Sequence, residues 1–417
     1  MKYKIIVGHS GKQHSFQTAN ALNKYGNLYK YITTVYNKPY SFTRLLTSVL
    51  IEKNKIKILS RKNLNLGDYQ VKQFCELRGL VLLFALRVPF FFKLFPNYFQ
   101  YVHNSFGRKV AKYAIKENVD AVIMYDTDAL CCFKILQAKA PHIKRILDVS
   151  IASRLFSKSI YEQDALLYND SYILKERSYS LNKRILCDIE KEISLTDYFL
   201  VGSQFVQRSL EYNNIDSKKI NIIPYGIDIT KFTYKVKKKC ETPLKLIFTG
   251  NDMYRKGIHH LLNVVSQFDK TQVVLTIVGV FSNKEYYYQQ YAKRDNIHFT
   301  GFVTHDTLSE LYHQADVFVL PSLAEGFAQV SIEAMSCGLP VICTENSGCN
   351  DAIVDYENGF VIKASDREAL KNRIEWCIQN KDKLVQMGKN ARKIATSYTW
   401  EHYYDKIASV IDNIMKQ

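Results

Sequence analysis

Residues 317–340 read VFVLPSLAEGFAQVSIEAMSCGLP, and this stretch decides the fold. The apolar run 317–320 predicts a short buried strand, and residues 321–327 predict the loop that follows it. Helical periodicity then extends over about 328–337, and Gly338 with Pro340 supplies the usual stop signal. A strand, a loop and a helix in this order are typical of an open parallel sheet, which binds ligands at the carboxyl ends of its strands.

The same alternation of apolar runs and helical segments recurs along the chain. Continuous apolar strands are expected where helices cover both faces of a parallel sheet. They are predicted at residues 3–7, 121–125, 145–149, 246–248, 273–278, 298–299, 317–320 and 341–343. A chain of 417 residues also exceeds what one hydrophobic core usually organises. We therefore predict an α/β protein with two Rossmann-like domains that face each other across a cleft.

The boundary between the domains is predicted near residues 225–242. There a Pro-Tyr-Gly turn and a lysine-rich run at 235–239 interrupt the periodicity. The N-terminal domain would span 1–225, and the C-terminal domain would span 226–395. A last helix at 396–417 is expected to pack back on the N-terminal domain.

Composition limits the compartment and the partners. Nine scattered cysteines lack the spacing of a metal knuckle or a disulfide framework, which predicts a reducing compartment. Residues 1–8 hold an apolar run too short for a signal peptide. A net charge of +17 favours anionic partners, although no zinc finger, recognition helix or aromatic RNA-binding pattern supports nucleic acid. We expect a cytoplasmic protein that also reaches the inner face of the cell membrane.

An unusual apolar segment lies at residues 80–98, where LVLLFAL is followed by Arg87, then by VPFFF and Lys93. A membrane-spanning helix needs about 20 mainly apolar residues, and the charges and Pro89 interrupt this one. Two interpretations remain open. The segment is either an anchor in the plane of an anionic membrane surface or a buried helix followed by a loop.

The predicted helix after the 321–327 loop offers a site for a diphosphate. Amides near Gln329 and Val330 and the partial positive charge of the helix start favour an anion, and Gly326 lets the backbone approach closely. Glu333 lies roughly 7 to 8 Å along this helix, whereas Glu325 precedes it. The carboxylates thus flank the phosphate site and can accept hydroxyls of a nucleotide sugar. Two glutamates at this spacing are also common by chance, so the loop context carries the prediction.

Two adjacent cations follow an earlier strand of the same half. The strand at 246–248 ends in Thr249-Gly250 and leads to Arg255-Lys256-Gly257. Arginine offers a fork of donors and lysine a mobile charge, so the pair can follow negative charge that develops on a departing diphosphate. A solvated basic turn would carry the same residues, and the prediction therefore depends on their combination with Glu325.

These motifs resemble the retaining family-four glycosyltransferases of the GT-B fold, also called glycosyl transferases group 1. The specific matches are Arg255-Lys256-Gly257, Gly301-Phe302-Val303, Pro321-Ser322, Glu325-Gly326-Phe327 and residues 333–342. Weaker similarity extends over nearly the whole chain, through residues 221–228, 357–360 and 398–400.

The resemblance implies roles for individual residues. Arg255 and Lys256 would hold the diphosphate and Glu325 the donor sugar, and these three are the candidate catalytic residues. Glu333 would hold the ribose, and Val303 would meet the base through its backbone. The remaining donor contacts are expected at Gly11, Gly250, Gly326, Phe327, Ala328, Gln329 and Val330.

No metal or other cofactor is expected for the usual chemistry of this fold. Asp126-Thr127-Asp128 has the letters of a donor-metal motif, but it lies in the N-terminal domain, where the resemblance places the acceptor and not the nucleotide sugar. The family often places a histidine after an N-terminal-domain strand, whereas the corresponding strand here ends in Asp148. His14, Asp126 and Asp148 are therefore alternatives for the acceptor side. The usual Gly-Gly loop is replaced by NSGCN at 346–350, which is expected to alter recognition of the donor sugar.

We predict a retaining hexosyltransferase that moves a hexose from a nucleotide diphosphate sugar to a glycan or lipid-linked acceptor. Its product would belong to a cell-surface polysaccharide or glycolipid. One alternative is a nucleotide-sugar epimerase or phosphorylase on the same fold, because fold alone does not set function. Another is a non-catalytic subunit that binds a nucleotide sugar.

Overall fold

The computed structural model describes residues 2–46, 55, 58–86, 88, 90–168, 183–236, 240–251, 254–280, 284–291 and 293–417. Its first sheet is built from β1 (Ile5–Gly8), β2 (Leu28–Thr33), β3 (Val71–Gln73), β4 (Ala121–Tyr125), β5 (Lys144–Val149), β6 (Tyr198–Val201) and β7 (Ile220–Ile222). All pairings are parallel, in the spatial order β3-β2-β1-β4-β5-β6-β7.

The second sheet is built from β8 (Leu244–Thr249), β9 (Val273–Val278), β10 (Ile297–Gly301), β11 (Val317–Leu320), β12 (Val341–Thr344) and β13 (Gly359–Ile362). These strands are also parallel, in the order β10-β9-β8-β11-β12-β13. The order reverses direction between β8 and β11 here, and between β1 and β4 in the first sheet. Such switch points leave a crevice at the carboxyl ends of the two strands.

Helices pack around both sheets. Those of the first half are α1 (Ser15–Lys24), α2 (Phe42–Leu46), α3 (Glu76–Ala85), α4 (Phe91–Leu94), α5 (Tyr98–Lys116), α6 (Leu130–Lys139), α7 (Arg154–Leu167), α8 (Lys183–Ser194) and α9 (Gln204–Glu211). Those of the second half are α10 (Ile258–Val265), α11 (Lys284–Tyr291), α12 (His305–Gln314), α13 (Gln329–Ser336), α14 (Arg367–Gln379), α15 (Lys381–Ala395) and α16 (Trp400–Lys416).

The predicted α/β architecture with two Rossmann-like sheets is confirmed. Strands β4, β9 and β11 have the predicted bounds, and every residue of β4, β11 and β12 is buried. Helix α13 begins at Gln329 and ends at Ser336, within the range that the periodicity indicated. Buried apolar strands of this kind lose their surface on both faces to helices, which is why they appear in the sequence as continuous apolar runs.

The last helix, α16, lies against α1 in the first half of the chain. The Tyr403 hydroxyl is 2.8 Å from Thr18 Oγ1, and the Lys24 ammonium is 2.5 Å from Glu401 Oε2. The chain therefore crosses back from the second sheet to the first at its end.

The apolar segment at 80–98 contains helices α3 and α4, and Arg87 and Pro89 lie outside the described residues. Leu82 is buried, whereas the exposed fraction is 64% for Phe84 and 60% for Phe90. One face of α3 thus packs inward and another carries exposed aromatic surface. Within the described ranges, none of the helices combines the length and apolar character needed to cross a bilayer.

Candidate functional site

The loop after β11 and the turn after β8 meet at the switch point of the second sheet. The Leu323 amide donates to the Arg255 carbonyl at 2.8 Å. Gly257 has φ 68°, and a Cβ there would lie 1.9 Å from the Pro321 carbonyl oxygen. Only glycine adopts this backbone without strain at such a close approach. The two segments are therefore held side by side, as the positions of their strands require.

Glu325 lies between the two cations predicted from the sequence. Lys256 Nζ donates to Glu325 Oε2 at 2.8 Å, and Arg255 Nη1 contacts Glu325 Oε1. Burial alone would raise the pKa of the Glu325 carboxyl, but the charges of Arg255 and Lys256 lower it to about 2. The structure thus brings these three residues together as an ionised cluster with an excess of one positive charge.

Gly250 makes room for the lysine of this cluster. A Cβ at Gly250 would lie 2.3 Å from Lys256 Cδ, so the aliphatic part of Lys256 runs across the glycine. The carboxylate of half-buried Glu333 interacts electrostatically with the same lysine. Burial raises the pKa of Glu333 to about 7, and the Lys256 charge opposes that rise. The two carboxylates consequently differ. Glu325 is ionised throughout the physiological pH range, whereas Glu333 changes its protonation state within that range.

The predicted diphosphate site lies at the start of α13. The cap residue Ala328 provides no side-chain hydrogen bond, but the Gln329 amide donates to the Phe327 carbonyl at 2.9 Å. The Gln329 side chain reaches the Gly226 carbonyl at 2.7 Å. Val330 is half-buried and packs against the core. The amide of Gln329 is therefore engaged with the Phe327 carbonyl in this structure.

Gly326 has a neighbour that the sequence did not predict. A Cβ there would lie 1.8 Å from the carbonyl oxygen of Ser150, which follows β5 in the first half of the chain. Ser203 Oγ, also from the first half, donates to the Gly326 carbonyl at 2.6 Å. The Phe327 ring lies 5.8 Å from the Tyr225 ring. This glycine thus allows close contact between the two halves.

The NSGCN loop at 346–350 is hydrogen-bonded to the loop after β11, residues 321–327, which we call the donor loop. The Glu325 amide donates to the Asn346 carbonyl at 2.9 Å, and Asn346 Nδ2 donates to the Leu323 carbonyl at 2.9 Å. Gly348 has φ 72°, and a Cβ there would lie 2.1 Å from the Gly326 carbonyl oxygen. The NSGCN loop, which stands in place of the usual Gly-Gly loop, therefore holds the backbone of Glu325 in position.

The two remaining donor candidates lie on other loops. Val303 follows β10 and is half-buried against the core, next to Phe302, which is 79% exposed. The Gly11 amide donates to His9 Nδ1 at 2.7 Å. That amide is engaged within its own turn.

The acceptor-side candidates meet at the carboxyl ends of β4 and β5. His14 Nε2 lies 2.9 Å from Asp148 Oδ2, and the Asp126 amide donates to the Asp148 carbonyl at 3.0 Å. Ser150 Oγ donates to Asp126 Oδ1 at 2.7 Å. Burial raises the pKa of Asp126, and the nearby Asp148 charge adds to that effect. Since Ser150 also touches Gly326, this acceptor-side cluster lies directly beside the donor loop.

A buried group around Asp128 was missed as a site. Asp128 accepts from the Ser10 amide at 2.7 Å and from Ser10 Oγ at 2.8 Å, and it contacts the His9 and His103 rings. Burial opposes ionisation, but the histidines lower the pKa of Asp128 strongly. The Asp128 carboxylate is thus buried and occupied by contacts with Ser10, His9 and His103. Asp126 and Asp128 therefore do not form an accessible pair of carboxylates.

A second missed group joins the two halves of the molecule. Asp164 of α7 accepts from Ser365 Oγ at 2.5 Å and lies 3.1 Å from His259 Nε2 and 2.8 Å from His260 Nε2. Arg367 Nε donates to His260 Nδ1 at 3.1 Å. A neutral histidine that accepts at Nδ1 carries its proton on Nε2, which faces Asp164. The arrangement is therefore a hydrogen-bonded link between the halves.

The family model for glycosyl transferases group 1 matches residues 230–394, which include every donor-side candidate described above except Gly11. Over this range the chain is similar to group 1 glycosyltransferases. The matched range contains Arg255, Lys256, Glu325 and Glu333, in agreement with the resemblance noted from those motifs.

Named relatives carry related descriptions. The chain is 26% identical over 242 residues to the capsular polysaccharide biosynthesis glycosyltransferase CapM of Staphylococcus aureus. The aligned region covers 53% of this chain and 63% of CapM. The chain is 27% identical over 210 residues to a putative colanic acid biosynthesis glycosyltransferase, WcaL, of Salmonella typhimurium, which covers 47% and 52%. The match thus spans between about half and two thirds of the length of these relatives.

Solved structures share the fold of the whole chain. The sucrose-phosphate synthase of Thermosynechococcus elongatus has a TM-score of 0.66 at 18% identity, covering 99% of both chains. HepE of Anabaena, solved with UDP, has a TM-score of 0.64 at 15% identity, covering 99% of this chain and 100% of that one. The two parallel sheets of this chain therefore form a GT-B fold.

Proposed function

We propose that this chain is a retaining hexosyltransferase that uses a nucleotide diphosphate sugar as donor. The observation that carries the proposal is the Arg255–Glu325–Lys256 cluster at the switch point between β8 and β11. It combines a carboxylate able to accept sugar hydroxyls with two cations able to hold a diphosphate. The excess positive charge of the cluster favours a negatively charged ligand.

The chemistry that fits this cluster is front-side transfer. The bond between the anomeric carbon and the phosphate oxygen breaks, and the acceptor oxygen bonds to the same carbon from the same face. The departing phosphate oxygen takes the acceptor proton, so no separate base is needed. Arg255 and Lys256 would stabilise the charge that develops on the diphosphate, because preorganised cations act most strongly where charge appears in the transition state.

A glycan or lipid-linked acceptor of cell-surface polysaccharide synthesis is proposed from the relatives. Two of them are named for capsular polysaccharide and colanic acid synthesis. The acceptor would enter beside His14, Asp126 and Asp148, which lie against the donor loop through Ser150. Contact with an anionic membrane is proposed from the exposed Phe84 and Phe90 and the charge of +17.

A thermal-shift panel of UDP, GDP, ADP and CMP sugars tests donor binding. A ligand at 100 times its Kd stabilises the folded state by about 2.7 kcal/mol. We expect one nucleotide class to raise the melting temperature of the wild type, and this shift to shrink in Lys256→Gln. Lys270→Gln is the matched control, because Lys270 is exposed and forms its salt bridge with exposed Asp295. No shift with any sugar at millimolar concentration would contradict the proposal.

A further inference from the structure

A cavity of about 610 Å³ opens at the edge strand of the first sheet, and it shares no residue with the donor loop or the acceptor-side cluster. It is lined by β2, β3, the loop at 38–41, the start of α3 and one residue of α5. Three half-buried lysines, Lys30, Lys38 and Lys72, line it together with a single carboxylate, Glu76. We call it the three-lysine pocket.

The hydrogen bonds and the ring contact of the three lysines involve uncharged groups. Lys30 Nζ donates to the Tyr69 carbonyl at 2.6 Å, and Lys38 Nζ donates to the Val71 carbonyl at 3.1 Å. Lys72 Nζ lies 4.1 Å from the centre of the Tyr113 ring. Carbonyls and aromatic faces position an ammonium group but carry no formal negative charge.

The Glu76 carboxylate offsets one of the three positive charges, and its hydrogen bonds go to Thr43. Glu76 Oε1 accepts from the Thr43 amide at 2.7 Å and from Thr43 Oγ1 at 2.6 Å. The lysines also interact with one another, since burial, followed by the charges of Lys72 and Lys38, lowers the pKa of Lys30, and the Glu117 charge opposes this shift only in part. Like charges gathered in a partly buried cavity are stabilised by an anion that contacts all of them.

The available donors match a phosphate group better than a carboxylate. Each ammonium has three N–H donors, and Lys30 and Lys38 each use one in the hydrogen bonds given above. The Tyr40 and Tyr69 rings also line the pocket and are strongly exposed, at 107% and 76%. A phosphate monoester offers three acceptor oxygens and close to two negative charges, whereas a carboxylate offers two oxygens and one charge.

We propose that the three-lysine pocket binds a phosphate-bearing anion. Two sources supply this chemistry, a phospholipid headgroup and a soluble phosphate compound. The headgroup source agrees with the course of α3, which begins at Glu76 in the pocket and carries exposed Phe84 further along. The proposal does not depend on the transferase activity.

Equilibrium dialysis of radiolabelled inorganic phosphate at low ionic strength tests the pocket. Lys30→Gln/Lys72→Gln is expected to lower phosphate affinity at least about tenfold, because two charge-assisted hydrogen bonds are lost. Lys389→Gln/Lys406→Gln, which removes two exposed lysines, is the charge-matched control and should stay near wild type. Lys30→Arg/Lys72→Arg should keep most of the binding, which separates lost charge from misfolding. The melting-temperature shift by the nucleotide sugar should persist in every variant.

Flotation on vesicles that contain phosphatidic acid, compared with phosphatidylserine, distinguishes the two sources. If the wild type floats better with phosphatidic acid and Lys30→Gln/Lys72→Gln loses this preference, the ligand is a lipid headgroup. If the same variant loses phosphate binding in dialysis but floats like the wild type, the ligand is a soluble phosphate compound. The proposal is overturned if the pocket variant and the surface control behave alike in both assays.

Discussion

At the scale of single residues, Glu325 of the donor loop joins the two cations of the turn after β8. Its carboxylate is 12% exposed and held by Arg255 and Lys256, which keep its pKa at about 2. Removing either partner of such a buried contact leaves charge uncompensated. The function of each residue therefore has to be tested together with its effect on folding.

Replacing Arg255 or Lys256 with Ala is expected to lower turnover about a hundredfold or more. The reason is the loss of a preorganised charge contact, which typically contributes a few kcal/mol to transition-state stabilisation. Steady-state kinetics with saturating donor measure the effect, and circular dichroism checks the fold. Wild-type turnover in a folded variant would contradict the assigned role.

The pH dependence should separate Glu325 from Glu333. Because the pKa of Glu333 is about 7, its carboxylate forms as the pH rises through 7, and donor binding should tighten about fivefold between pH 6 and pH 8. Glu333→Gln should remove this dependence. Glu325→Gln should impair transfer more, and at every pH, because Glu325 is ionised throughout that range. A Glu333→Gln variant that retains the pH dependence would assign it to another group.

Residue identities predicted the donor cluster but missed the histidine groups. Arg255, Lys256 and Glu325 follow strands on either side of a switch point, so their strand-end positions predicted their proximity. His9 and Asp128 obey the same logic, because they follow the neighbouring strands β1 and β4. The link of Asp164 to His259 and His260 depends on how the two halves pack, which the sequence pattern does not encode.

At the scale of elements, the loop after β11 is positioned by backbone contacts that only small residues allow. Gly326 meets Ser150 of the first half, and Gly348 meets Gly326. The sequence predicted strand, loop and helix here because buried strands and helix stop signals have local patterns. It did not predict that Gly326 contacts the other half, since the neighbour lies far away in the chain.

Gly326→Ala is expected to lower both the melting temperature and transfer. Its Cβ would lie 1.8 Å from the Ser150 carbonyl, and overpacking of this kind typically costs about 1–3 kcal/mol. Gly26→Ala is the control, because Gly26 has φ 71° and nothing within 4 Å of the added Cβ, so it tests backbone strain alone. If both variants retained equal activity, the contact with Ser150 would have no part in transfer.

At the scale of the whole molecule, the two sheets and the returning helix α16 form one connected arrangement. The first half carries the acceptor-side candidates and the exposed apolar surface of α3, and the second half carries the donor loop. The fold class followed from the sequence because both sheets are parallel and buried. The balance between a membrane anchor and a core helix at 80–98 did not, and the structure shows features of both.

We expect the protein to float with vesicles that contain acidic lipid and less with neutral vesicles. Exposed aromatic rings bury in the interface and the +17 charge is attracted to acidic headgroups. Phe84→Ser/Phe90→Ser should reduce flotation, whereas Leu64→Ser, at a site 87% exposed outside this segment, should not. Equal flotation with acidic and neutral lipid would assign the segment to packing within the protein.

The anomeric configuration of the product tests the proposed chemistry most directly. Proton NMR can follow the anomeric signal while the protein transfers sugar from the nucleotide donor that stabilises it in the thermal-shift panel. Because the departing phosphate oxygen accepts the proton on the face where the acceptor attacks, an α-linked donor should give an α-linked product. A β-linked product would require a general base and attack from the opposite face, and would contradict the mechanism assigned to Arg255, Lys256 and Glu325.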